Sequence, residues 1–326
     1  MSLQSRRAVR MASLVLSTAF LVTCPVLAEP AASTPGQQAT AASDSRLKTQ
    51  FVRLVRDDNG RAMLETAETA YRNADGVTVT LIGAVHIADA AYFAGLDASF
   101  DAYDALLYEM VKPMTRPGES TRTARREGSL AWVGAMQRFM RDHLELEFQL
   151  DAIDYDDRPN FVHADMDSET FLKLQEERKE GFLKLFLRAF TAERKRQRAG
   201  EGSASEELTP FHLLAALKAP DRARQLKLLF ARQLRNVEGH MEVLEGPNGS
   251  VILTERNKVA VAVLREQLDK GRRNIGIFYG AGHFPGIEAI LVNEMGFRRV
   301  GQTWRTAWDM SDPEAAPPAT KPVSAN

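Results

Sequence analysis

Two continuously apolar, β-branched runs stand out along the chain, residues 77–85 (Val-Thr-Val-Thr-Leu-Ile-Gly-Ala-Val) and residues 274–279 (Asn-Ile-Gly-Ile-Phe-Tyr). Runs without polar alternation predict strands covered on both faces. A third run, residues 105–110 (Ala-Leu-Leu-Tyr-Glu-Met), has the same character. Between the first and third, Ala90, Phe93, Ala94 and Leu96 fall at helical spacing behind Asp89, a residue type that caps helices. Residues 77–110 therefore predict one β-α-β unit. Upstream, two strand-like runs at 49–56 and 62–71 flank Asp57-Asp-Asn-Gly60, a strong hairpin signal, and this hairpin is expected at one edge of the sheet.

The middle of the chain changes period. Residues 130–146 read as a helix with Trp132, Met136, Phe139 and Met140 inward, and residues 160–165 as a short strand whose alternation puts His163 and Asp165 on one side. Ser168 and Thr170 then open a helix, and the helical pattern persists from 171 to 198. After a Gly/Ser hinge at 199–205, helices are predicted at 210–217 and 221–237. Thr254 is the expected N-cap of a helix over 255–270, which leads into the 274–279 strand. A helix from His283 to Met295 and one or two closing strands over 297–308 follow. The predicted fold is α/β, a mixed central sheet with flanking helices and a mostly helical insertion at about 115–240.

The ends carry a different signal. Arg6, Arg7 and Arg10 precede an apolar run, and small residues around Ala28 suit a signal peptidase, so residues 1–28 read as a signal peptide for the Sec or twin-arginine route. A lipoprotein reading through Cys24 fits less well because threonine precedes it. Residues 29–45 and 311–326 have linker-like composition, which leaves 46–310 as the folded domain. Cys24 is the only cysteine, so the mature chain has no thiol for disulfides or nucleophilic attack. The expected location is periplasmic or secreted. Net charge is −1, which gives no electrostatic case for nucleic acid, and no membrane contact is expected once the signal is cleaved.

Chemistry gathers at the strand ends. The 77–85 run leads into Gly83-Ala-Val-His86, and the 274–279 run into Gly280-Ala-Gly-His283; composition alone predicts fewer than one such Gly-x-x-His match. Both occur where a strand meets a helix, the rim at which open α/β sheets collect ligands. Glu109 ends the third buried run, where a carboxylate is costly without a cation or donors to meet it. Two imidazoles and a carboxylate can hold a divalent ion and its activated water, with Asp165 as a further ligand or as an orienting group. Without metal, one histidine would be a general base oriented by Glu109.

Gly83-Ala-Val-His-Ile-Ala-Asp89, Leu107-Tyr-Glu109, Thr254-Glu-Arg-Asn257 and Gly280-Ala-Gly-His283 together resemble the TraB/GumN family, relatives of the TIKI metalloproteases. The resemblance runs from about residue 77 to the last strand and is loose across the helical middle. It implies a fold akin to erythromycin esterase and ChaN proteins, and a metal-dependent peptidase-like activity carried by His86, Glu109 and His283. It also implies a role for Arg256 on a substrate carboxylate or an oxyanion. The expected function is thus a metal-dependent hydrolase, peptidase or esterase-like, with a manganese, cobalt or zinc ion and a peptide or small-molecule substrate. The alternatives are a non-catalytic periplasmic protein that binds or sequesters a peptide or haem-like ligand, and, more weakly, a membrane-surface module.

Overall fold

The computed structural model describes residues 49–57, 61–112, 141–156, 158–178, 210–234 and 249–311. The leader, the linker, the tail and residues 130–140 of the helix expected at 130–146 lie outside these residues; of its remainder, residues 141–144 are helical and 145–146 are not. The apolar runs form the strands they predict: β1 (Val52–Arg56), β2 (Ala62–Arg72), β3 (Thr78–Ala84), β5 (Ala105–Tyr108), β7 (Phe161–His163), β8 (Asn274–Gly280) and β9 (Arg298–Met310) build one seven-stranded mixed sheet. Strands β3, β8, β5 and β7 run parallel in that spatial order. The chain therefore returns, at β8, to a place between β3 and β5. That insertion brings the two Gly-x-x-His turns side by side, with Gly83 opposite Tyr279 and Ala84 opposite Gly280.

The hairpin differs in one respect from the expectation of an edge. The long strand β2 pairs with β9 along its whole length on one side, and with β1 and then β3 end to end on the other. The C-terminal run, predicted as one or two strands, is a single 13-residue strand, and it makes β2 internal. Burial of the β2 side chains follows from that coverage.

Both faces of the parallel strands are dry. Leu81, Ile277 and Leu107 form one row across β3, β8 and β5, all fully buried. Ile82, Phe278 and Tyr108 form the next row on the opposite face. Helix α1 (Ala90–Phe100) covers this second face, where Phe100 packs against Phe278 at 4.9 Å between ring centroids. Its buried stripe is Tyr92, Phe93, Leu96 and Phe100, while Ala90 and Ala94, expected inward, are exposed. The larger side chains bury more apolar area and set the helix rotation.

Two caps also differ from expectation. Asp89 sits at the N-cap position of α1 but caps nothing. Its oxygens instead accept from Lys227 Nζ on a later helix (2.6 Å) and from the Asp309 amide of β9 (2.6 Å), which fixes the loop after His86 to two distant elements. Ahead of the 255–270 region, the capping group is the Ser250 hydroxyl, which accepts from the Leu253 amide. A π-helical turn, Val251–Glu255, intervenes, and Thr254 accepts from the Ser250 amide. The α-helix proper starts at Arg256, so Arg256 and Asn257 lie in its first turn.

The region expected as an insertion is mixed. It contributes β7 to the main sheet and the two-residue strand β6 (Glu147–Phe148), which pairs with β4 (Ile87–Ala88) directly after His86. A one-turn helix, α2 (Gln149–Ala152), follows β6. Helix α3 (Ser168–Glu177), capped by Asp167, opens where predicted, and the pattern expected beyond it, over 179–198, lies outside the described residues; helices α4 (Pro210–Lys218) and α5 (Arg222–Leu234) lie close to the predicted spans. Helices α6 (Arg256–Asp269) and α7 (Phe284–Asn293) complete the described helices. Among the described residues no helix is long and apolar enough to cross a membrane.

Candidate active site

Four neighbouring strands end on chemistry. His86 follows β3, His283 follows β8, Glu109 follows β5 and Asp165 follows β7, and Arg256 reaches this rim from the first turn of α6. The sequence-derived residues thus share one site. Glu109, Asp165, Arg256 and His283 are all buried, whereas His86 is half-buried and the most accessible of the five.

Arg256 is the hub. Its Nε donates to Asp165 Oδ1 at 2.8 Å, and Nη2 donates to Asp165 Oδ2 and to Glu109 Oε1, both at 2.6 Å. The second Glu109 oxygen accepts from the Gly280 amide at 2.6 Å. Asp165 is committed to the guanidinium and to the Met166 amide, so the geometry gives it the orienting role rather than that of a metal ligand. The remaining nitrogen of Arg256, Nη1, donates to His283 Nε2 at 3.5 Å. Burial alone would push the Glu109 carboxyl up, but Arg256 and the flanking imidazoles hold it well below the usual carboxylate range. Burial opposes the charge on Arg256 as well, and Asp165 and Glu109 hold it firmly protonated. Beneath them Tyr279 stays a neutral phenol, raised by burial and by Asp165, and donates to the Ala164 carbonyl.

Each histidine is gripped by an amide side chain. His283 Nδ1 is 2.7 Å from Asn257 Oδ1, and Asn257 Nδ2 donates to the His283 carbonyl at 3.3 Å. His86 Nδ1 is 3.1 Å from Gln149 Oε1, and the Gln149 backbone amide donates to the His86 carbonyl at 2.9 Å. Gln149 Nε2 donates to the Tyr155 hydroxyl at 2.8 Å. Sequence reasoning missed both amide residues. Asn257 was visible only as the neighbour of Arg256; Gln149 gave no signal, because the two-residue pairing of β4 with β6 carries it to His86 from 63 positions away.

Gly280 leaves a cradle at the centre. A β-carbon there would lie 3.2 Å from Glu109 Oε2, 3.5 Å from His86 Nε2 and 3.9 Å from the His283 ring. The missing side chain lets Glu109 and His86 close in on the strand end and leaves the Gly280 backbone open to a ligand's approach. The donor types, two imidazole nitrogens and a carboxylate whose oxygens each keep a lone pair, suit a divalent ion in kind. In spacing, no three His, Cys, Asp or Glu side chains among the described residues form a cluster that could hold one.

No protein-family model, curated protein or solved structure matches this chain. The case for a site rests on the chain's own geometry. Four side chains from separate strand ends, with a buried arginine between two carboxylates, exceed what a sheet needs to close its rim. Burying charge at this level is costly unless the partners are well placed.

Proposed function

We propose that this chain is a hydrolase that cleaves a peptide or ester bond with water activated in the cradle beside Gly280. One observation carries the reading: His86 Nε2, a Glu109 oxygen and the edge of the His283 ring converge on the position where Gly280 lacks a side chain, with His283 Nε2 itself 3.6 Å from Glu109. Arg256 Nη1, preorganised by its two carboxylates, is the donor placed to meet an oxyanion there. A divalent ion would need His86, His283 and Glu109 to draw closer together than they stand here, and once held by them it would lower the pKa of a bound water towards neutrality. Manganese, cobalt and zinc are the candidates. The reading includes a TraB/GumN-like, TIKI-related fold and export directed by residues 1–28, in keeping with the motif resemblance.

The test is incubation of the purified mature protein with peptide and ester libraries, before and after chelation and with manganese, cobalt or zinc restored. Turnover that disappears in His86→Gln and His283→Gln supports the hydrolase. Loss on chelation with recovery on adding one ion assigns the activation to metal; indifference to chelation assigns it to a histidine base. Stoichiometric capture of peptide or haem without products would replace the hydrolase with a binding protein.

A further inference from the structure

The structure assigns Gln149 and Asn257 as positioning residues that lock His86 and His283 in the tautomer with hydrogen on Nδ1, so that the Nε2 lone pair of His86 faces the Gly280 cradle and that of His283 accepts from Arg256 Nη1. In each case the same residue holds the histidine twice, at the ring and at the backbone carbonyl. Asn257 does so with its two amide atoms, at 2.7 Å to Nδ1 and 3.3 Å to the carbonyl. Gln149 does so with its side-chain oxygen at 3.1 Å and its backbone N–H at 2.9 Å. Asn257 Nδ2 is committed to a carbonyl, which only accepts, and that leaves Oδ1 for the ring; Gln149 presents Oε1 to the His86 ring while its Nε2 donates to the Tyr155 hydroxyl. An amide oxygen only accepts, so each facing Nδ1 must carry the hydrogen. Both clamps are nearly sealed from solvent, at 2% exposure for Gln149 and 4% for Asn257, so water does not compete for the ring hydrogen.

The choice of amide has a consequence. A carboxylate behind the imidazole would stabilise its protonated form, as in a histidine built to take up a proton. A neutral amide fixes the ring without that support. Held this way, His86 offers its lone pair to whatever sits in the cradle, an O–H or N–H donor or a cation, while His283 turns its own to the Arg256 guanidinium. The assignment gives the proposed hydrolytic site its orienting shell, but the tautomers belong to the resting protein and do not require turnover.

Long-range proton–nitrogen NMR on metal-free, ¹⁵N-histidine-labelled protein at alkaline pH tests it, with His86→Gln and His283→Gln supplying the assignments. Both residues are expected to show a protonated Nδ1 and a bare Nε2, the reverse of the tautomer that free histidine prefers. Asn257→Leu is expected to release His283 into a tautomer mixture and leave His86 unchanged, and Gln149→Leu to do the converse. Asn257→Asp, which keeps the accepting oxygen, is expected to retain the lock. If the wild-type protein shows hydrogen on Nε2 of either ring, the assignment is overturned, and that result needs no variant to fold. If hydrolysis exists, Gln149→Leu and Asn257→Leu are expected to lower kcat about 10- to 100-fold, with KM nearly unchanged. Locked tautomers in a protein without turnover would sink the hydrolase and leave this assignment standing.

Discussion

Arg256→Met removes the charge at the hub while keeping most of the aliphatic stem. The side chain is 9% exposed and bonds Asp165 and Glu109, whose side chains are 0% and 8% exposed. Taking away the guanidinium breaks three hydrogen bonds of 2.6–2.8 Å and leaves two carboxylates facing each other without a cation. Breaking a buried ion pair from one side costs about 3–5 kcal/mol, because the remaining charge is desolvated and uncompensated. Against a total stability of roughly 5–15 kcal/mol, that is a large fraction. The cost is expected to depend on pH in a definite direction: the stranded carboxylates can neutralise themselves by taking up protons, so the variant recovers relative to the wild type on acidification. Urea unfolding of both proteins at pH 7 and pH 5, followed by circular dichroism, reads the difference. A loss below about 1 kcal/mol at neutral pH, or an equal loss at both pH values, would show that Arg256 does not neutralise a buried acidic pair.

Gly280→Ala is expected to abolish turnover at a smaller cost in stability than Arg256→Met, since the Glu109 carboxylate need give by only a few tenths of an ångström. The backbone there has φ −52°, open to any residue, and the added methyl would fill the cradle between Glu109 and His86; retained turnover would refute the location. Ile277→Ala empties the centre of the row between Leu81 and Leu107 and is expected to cost about 2–5 kcal/mol in urea unfolding. Wild-type stability should fall as pH drops below 6.5. Burial holds the His163 ring below that value even though its Nε2 contacts the Met110 carbonyl, so between the two values the unfolded chain binds the extra proton. The Glu109 carboxyl, also depressed in the fold, extends the same loss below pH 4.5, and His163→Gln should flatten only the upper part of the profile.

The sheet was legible because strands buried on both faces leave unbroken apolar runs, and the site because three of those runs end on polar groups. Relations between elements were less legible. Nothing in residues 297–308 marks β9 as the partner of β2, since pairing is a long-range property that leaves no local period. Asp89 and Thr254 have the side chains of helix caps, yet neither serves as one: Lys227 and β9 took the aspartate, and a local π-turn moved the cap to Ser250. Asp165 was placed at the rim by alternation alone. Its role followed only from the arginine opposite, which lies 91 positions away. Gln149 shows the limit most clearly, because two residues of strand pairing bring it to His86 and no pattern that short can be read from sequence.

The most direct test is the hydrolysis rate of the purified mature protein on a peptide and ester library, measured beside His283→Gln with folding checked by circular dichroism. The account predicts product from the wild-type protein and loss of at least about 100-fold in the folded variant. Equal turnover in both, or no product from the wild-type protein under any metal condition, would contradict it.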